Sequence, residues 1–299
     1  MKKALITAMM TAVASTGAWA QATDTLAKVK ESGVITMGVR DSSGALSYTL
    51  GNGEYAGYHV DVCRKIIANI EKSVGKKLTV KYQSVTSQNR IPLMQNGTID
   101  IECGSTTNNA TRQKDVSFLS TVYMEQVRIA TKTKSGITGI AQLNGKNVAT
   151  TTGTTSVQLL RKNERANGID FKEVFGKDHA DSFLLLESDR ADAFVMDATI
   201  LIGNIVNSKS PSDYKIVGEV LSNEPIGIMV RKDDAGIKKI GDDTLRDLVA
   251  SRELSKMYDK WFTTPIPPKN VNVNMPATID TKAAWVNLSD KPLEQYVKR

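Results

Sequence analysis

Between Thr86 and Arg112 the chain concentrates residues suited to holding anions: Ser87, Arg90, Ser105, Thr107 and Arg112, set at the ends of short apolar stretches. A hydrophobic core does not need hydroxyls and guanidinium groups at such places. A carboxylate site does, because an arginine fork and oriented hydroxyl or amide donors engage two oxygens at once. Thr111 reads as a helix cap, which puts Arg112 in a first turn, where free amides favour anions. Ser87 likewise reads as a cap with Arg90 three residues on, and Arg40 ends the first strand. Two arginines, if they shared one pocket, would call for a second carboxylate. Asp197 follows an apolar run, 193–196, and so stands where open α/β sheets bind ligands, beyond a strand's carboxyl end. Its simpler role is to cap the helix that follows. The turn 152–156, Thr-Gly-Thr-Thr-Ser, offers more hydroxyls, with Thr155 the best placed for contact, and His179 precedes another helix. Arg40, Arg90 and Arg112 against Asp197 leave a surplus of about two positive charges, which an acidic zwitterion offsets better than a neutral one in a dry cleft.

The elements that must position these groups alternate. A short helix over 24–32 ends at Gly33, and 34–39 is a strand. Cys63, Ile66, Ile67, Ile70 and Val74 mark one face of a helix that ends at Gly75. Strands at 78–82 and 99–103 flank a short helix at 90–95. The pattern restarts after Lys132, with strands at 148–151, 171–174 and 193–196 and helices at 157–166 and from 181. Strands at 214–217 and 227–230 follow, then helices at 236–250 and 253–261, a proline stop at 265–268, and a polar tail from Lys269 laid over the surface. This is the signature of parallel α/β sheets. Strands 123–131 and 225–231 are candidates for crossing between two α/β units.

The ends and the composition narrow the function. Lys2 and Lys3, an apolar stretch, and Ala18-Trp19-Ala20 read as a secretory signal peptide, residues 1–20, cleaved after Ala20. The expected product is exported and unlipidated. The remaining chain suffices for two domains. A net charge of +7 in the full sequence, without a basic run, points away from nucleic acid. Cys63 and Cys103, the only cysteines, allow either a bridge or two buried thiols in an oxidising compartment. Two cysteines and two histidines (His59, His179) lack metal-ligand spacing, so neither metal nor cofactor is expected. The stretch 139–146 misses a phosphate loop by one residue, with Asn147 where a Ser or Thr must hold magnesium, and no Gly-x-Ser-x-Gly elbow occurs.

Val39-Arg40-Asp41, Gly57-Tyr58-His59-Val60-Asp61, Asn96-Gly97-Thr98-Ile99-Asp100 and the spacing of Thr107 to Arg112 resemble periplasmic solute-binding proteins of amino-acid ABC importers. Thr152-Gly153-Thr154-Thr155-Ser156, Lys177-Asp178-His179, Met196-Asp197 and Pro265-Ile266-Pro267-Pro268-Lys269-Asn270 narrow the resemblance to the glutamate/aspartate-binding branch. It implies a two-lobed type II periplasmic binding fold: two α/β domains joined by two hinge strands, the ligand between them. The first lobe would comprise 24–128 plus 229–299 and the second 129–228. The resemblance implies that Arg112, with Ser105 and Thr107, grips the α-carboxylate and Asp197 the α-ammonium. Arg40, Ser87, Arg90 and His179 would meet the distal carboxylate, with Thr155 in contact. Implied partners are L-glutamate or L-aspartate and an inner-membrane ABC permease with its ATPase. The expectation is a monomeric periplasmic carrier without catalytic residues. Its rivals are a cleft enzyme of the same fold, similar to cyclohexadienyl dehydratase, and a ligand-sensing partner of a receptor.

Overall fold

A computed structural model describes residues 24–296. The expected signal peptide, 1–20, lies outside the described residues. Helix α1 (Thr25–Ser32) is capped by Asp24, whose carboxylate accepts from the amides of Leu26 and Ala27. It leads into β1 (Val34–Val39). A segment the sequence pattern did not separate then forms a small antiparallel sheet of β2 (Ser42–Ser43), β3 (Ser47–Gly51) and β4 (Glu54–Ala56). Its strands are too short to show a period. Helix α2 (Tyr58–Val74) buries Cys63, Ile66, Ile67 and Ile70 and ends at Gly75, whose φ of 69° is the left-handed conformation glycine adopts freely. Next come β5 (Thr79–Ser84), α3 (Arg90–Gln95), β6 (Ile101–Thr107), β7 (Val116–Phe118) and β8 (Tyr123–Lys132).

The second series comprises β9 (Asn147–Thr151), α4 (Thr155–Asn167), β10 (Lys172–Gly176), α5 (His179–Glu187), β11 (Ala193–Asp197), α6 (Ala198–Asn207) and β12 (Tyr214–Arg231). The last of these corrects the expectation of separate strands at 214–217 and 227–230. One strand runs through both, with register irregularities between Val217 and Ser222 against β8 and between Gly227 and Met229 against β6. Its chemistry explains the misreading: Gly218, Asn223 and Pro225 look like breaks locally, but β8 pairs alongside on both sides of the interruption.

Nine strands join in one sheet in the order β10, β9, β11, β8, β12, β6, β1, β5, with β7 paired to β12 off this path. The antiparallel pair β8 and β12 lies at its middle. Parallel strands flank it: β6, β1 and β5 on one side, β11, β9 and β10 on the other. The apolar interior divides in the same way. One cluster gathers Ile35, Ile66, Ile101, Ile226, Leu245 and Phe262, and a smaller one Met94, Phe118 and Met229. Separate clusters hold Val127, Val148, Leu160 and Val195, and Phe183, Phe194 and Leu201. Two cores separated by a pair of strands leave a crevice between the strand ends.

Helices α7 (Ala235–Ala250) and α8 (Glu253–Phe262) return to the first core, and the expected polar tail carries a further helix, α9 (Ile279–Val286). This helix packs against the start of β8. The Trp285 indole N–H donates to Val122 O at 2.8 Å, and the Met124 amide to Thr281 Oγ1 at 3.2 Å. Only part of the helix's apolar content is used for docking: Ala284 is buried, while Ile279 and Val286 face solvent. Cys63 and Cys103 form a disulfide, tying α2 to β6. Among the described residues no helix is long and apolar enough to cross a membrane.

Candidate functional site

The crevice is lined from strand ends and helix starts, as α/β topology directs. Ser105 and Thr107 come from β6, Thr155 begins α4, His179 begins α5, and Asp197 ends β11. Arg90 is the first residue of α3. Ser87, Arg90, Ser105, Thr107, Arg112, Thr155, His179 and Asp197 share one cavity with Thr154 and Met196. Arg40 does not line it. Its wholly buried guanidinium lies beside it, ion-paired to Asp178. The cavity measures about 10 Å³, so an amino acid enters only when its walls part. A wider groove of about 780 Å³ passes between α4, β12 and α9, away from Arg90 and Asp197.

Two local expectations are corrected. Thr111 does not cap a helix; Arg112–Lys114 is a single 3-10 turn, and Asn109 Oδ1 accepts from the Arg112 amide at 2.9 Å. Nor does Ser87 cap α3. Asn89 holds that position and exchanges hydrogen bonds with Thr86. The Ser87 hydroxyl is thereby left buried at the cavity wall with no partner among the described residues. Asp197 occupies the cap position of α6 but makes no side-chain cap bond, so its carboxylate is spare for other work.

The three arginines differ in their pairing. Arg112 Nη1 donates to Thr107 O at 2.8 Å and Nη2 to Gly153 O at 3.2 Å, joining β6 to the turn before α4. Arg90 Nη1 has one long bond, 3.4 Å to Ser105 O, and its Nε has none. Burial, then Arg112 and Arg40, push Arg90 well below the ordinary arginine range; the direction records how poorly its charge is compensated. Arg40 Nε and Nη1 and His179 Nε2 also lack partners. Buried polar atoms left unpaired cost about 1–3 kcal/mol each, so a group of them in and beside one cavity marks a place for a polar group. His179 Nδ1 lies 3.0 Å from Thr151 Oγ1. Burial, then Arg40 and Arg90, push the imidazole well below its usual value, which leaves it neutral here.

The count of one carboxylate against three guanidinium groups is wrong. Asp178 bonds Arg40. Glu224 Oε2 accepts from Thr107 Oγ1 at 2.7 Å and from Thr155 Oγ1 at 2.8 Å. Glu125 is buried beside Glu224, and Glu102 is buried and accepts from Thr106 Oγ1 at 2.9 Å. Burial, then Glu125 and Glu224, push the Asp197 carboxyl well above its ordinary value, against the pull of Arg90 and Arg112. Glu125 is pushed up to about 7, chiefly by burial. Burial raises the Glu102 carboxyl as well, so of these acids it is Asp178, paired to Arg40, and Glu224, beside Arg112, that offset positive charge inside the protein, and charge arithmetic alone does not select a dicarboxylic ligand. Position does more: of these five acids only Asp197 lines the cavity. No local signal distinguished Glu125 and Glu224, since a glutamate in a strand ordinarily faces water.

Arg90, Arg112 and His179 thus share with Asp197 one cavity among unpaired hydroxyl and cationic donors, between two α/β series. The chain belongs to the bacterial extracellular solute-binding proteins, family 3, whose pattern it matches over residues 35–264. It is 45% identical over 276 residues to the L-glutamate/L-aspartate-binding protein of Pseudomonas aeruginosa, covering 91% of each chain. It is 44% identical over 270 residues to the glutamate/aspartate import solute-binding protein of Escherichia coli K12, covering 90% of this chain and 89% of that one. A crystal structure of a mutant of ArgBP from T. maritima superposes with a TM-score of 0.70 at 26% identity, over 80% of this chain and 99% of that one. The fold is the two-lobed type II arrangement.

Proposed function

We propose that this protein captures acidic L-amino acids, glutamate and aspartate, in the crevice and releases them to an ABC importer. The observation that carries the reading is the single cavity in which Arg90, Arg112 and His179 face Asp197. The names of the P. aeruginosa and E. coli relatives support the same ligand class. In this reading Arg112, with Ser105 and Thr107, holds the α-carboxylate and Asp197 the α-ammonium. Arg40, Ser87, Arg90 and His179 serve the distal carboxylate, and Thr155 closes from the other lobe. The lobes are 24–128 with 229–299, and 129–228; the division of the apolar clusters supports two lobes, with Val127 packed in the second cluster and Ile226 and Ile228 in the first, so the two crossing strands contribute to both. A ligand touching both lobes binds the closed form better and shifts the population toward it. The protein acts as a monomer in the periplasm and delivers to an inner-membrane permease and its ATPase.

The reading makes no use of bond chemistry. Glu125, held near neutrality, is the group an enzyme of the same fold would need, but it lies behind the cavity wall and not on it. Incubation with arogenate or prephenate and a search for product tests that rival directly. The ligand itself is tested by a thermal-shift screen of the twenty amino acids. A ligand at 100 times its dissociation constant adds about 2.7 kcal/mol of stability. Stabilisation by glutamate and aspartate is the expected result; stabilisation only by neutral or cationic amino acids would refute the assignment.

A further inference from the structure

Asp178 stands at the cap position of α5, yet its side chain makes no cap bond. An aspartate there ordinarily accepts from the amide two or three residues on. Both of its oxygens instead leave the helix. Oδ1 accepts from Arg40 Nη2, and Oδ2 accepts from Ser42 Oγ at 2.7 Å. The amide of Ala180, which the aspartate would normally satisfy, donates to Ser42 Oγ at 3.2 Å. So the cap of α5 comes from a residue 138 positions away. Arg40 and Ser42 follow β1, Asp178 follows β10, and five strands separate β1 from β10 in the sheet. The contact therefore spans the crevice and owes nothing to the continuity of the sheet.

We propose that Asp178 is the positioning residue for Arg40. With Ser42 it forms a cross-crevice latch that fixes the Arg40 guanidinium beside the ligand cavity, with Nε and Nη1 buried and left for a further partner. Only the identity of the ligand rests on the function proposed above; the latch does not. The arrangement has two satisfied states. With the lobes together, Asp178 pairs with Arg40 and Ser42 caps α5. With the lobes apart, Asp178 can turn onto the amides of its own helix while Arg40 and Ser42 meet water. An element with two complete sets of partners is what a hinged closure requires. Although burial opposes it, Arg40 and Ser42 hold the Asp178 carboxyl below its ordinary value, consistent with a charged partner in the closed form.

The test places spin labels on cysteines introduced at two exposed positions, Lys81→Cys and Arg165→Cys, one in each lobe, and reads the distance distribution without ligand and with L-glutamate. Asp178→Ala and Asp178→Asn should both move the unliganded distribution toward longer distances, and Ser42→Ala should do so more weakly. Both Asp178 variants should lose about tenfold in glutamate affinity, equivalent to about 1.4 kcal/mol. Asparagine is the discriminating variant, because it keeps the capacity to cap α5 and loses only the charge. If Asp178→Asn leaves the distribution unchanged while Asp178→Ala shifts it, the residue is a helix cap and the proposal fails. It fails equally if neither variant shifts it. If L-glutamate does not bind the parent protein, the ligand assignment falls, while the unliganded distances still decide the latch.

Discussion

Glu224 and Glu125 face each other directly in the β8–β12 pairing, both buried. Two carboxylates so placed resist ionising together. Burial, the largest cause, raises the Glu125 carboxyl from 4.5 to about 7, with Glu224 adding to it. A group with a raised value binds its proton more tightly in the folded state. Its stabilisation is complete below 4.5 and is lost as the pH rises through about 7. Glu125→Gln imitates the protonated form. Its stability relative to the parent should therefore grow by roughly 2–3 kcal/mol between about pH 5 and pH 8. Urea unfolding without ligand at the two pH values measures the change, and a constant difference would show an ordinary carboxylate.

Arg112 spans Thr107 O and Gly153 O with its two terminal nitrogens and borders the cavity. Arg112→Ala should weaken L-glutamate binding by about 2–5 kcal/mol, the range for breaking a buried charge pair. Arg112→Lys should recover little of this, because an ammonium is a point donor and not a planar fork. Calorimetry gives both numbers. An unchanged dissociation constant in the alanine variant contradicts the assigned role.

Gly153 has a φ of 82°, and a Cβ there would lie 2.9 Å from Gln88 Cα and N on the opposite wall. The strain of a left-handed alanine, about 1–2 kcal/mol, is present whether the crevice is open or closed. The collision with Gln88 exists only when it is closed. Gly153→Ala should therefore reduce ligand affinity by more than it reduces unliganded stability. Equal losses in the two measurements would mean that the turn, and not closure, needs the glycine.

The Cys63–Cys103 bridge closes a loop with a sequence separation of 40. Loop entropy gives about 4 kcal/mol for that length. Replacing both cysteines with serine should lower unfolding stability by about that amount, and adding reductant should lower the parent to a similar level. Urea curves with and without reductant make the comparison. Indifference to reductant under unfolding conditions would show that the thiols are not bridged.

Much of the fold was legible because its signals are local. The apolar stripe of α2 and its glycine stop, the strand of 34–39 and the short helix 90–95 follow from period and end residues alone. The misreadings occurred where a partner outside the local stretch decided the outcome. Strand β12 holds together through Gly218 and Pro225 because β8 runs beside it, and α9 is a helix because β8 receives it. At the site, hydroxyl and guanidinium types at strand ends marked Ser87, Arg90, Ser105, Thr107 and Arg112. Capping by Ser87 and Thr111 is not seen because Thr86 accepts from the Asn89 amide and Asn109 from the Arg112 amide.

Sequence alone determined the elements, their α/β alternation and the stock of anion-seeking side chains, since helix and strand periods and residue chemistry need no distant partner. Tertiary structure alone decided how charge is balanced. Glu224 bonds hydroxyls 117 and 69 residues away, and Asp178 pairs with an arginine 138 residues away. Whether a carboxylate faces water or neutralises a buried cation depends on which chain segment folds against it, and that is a property of no single stretch of sequence.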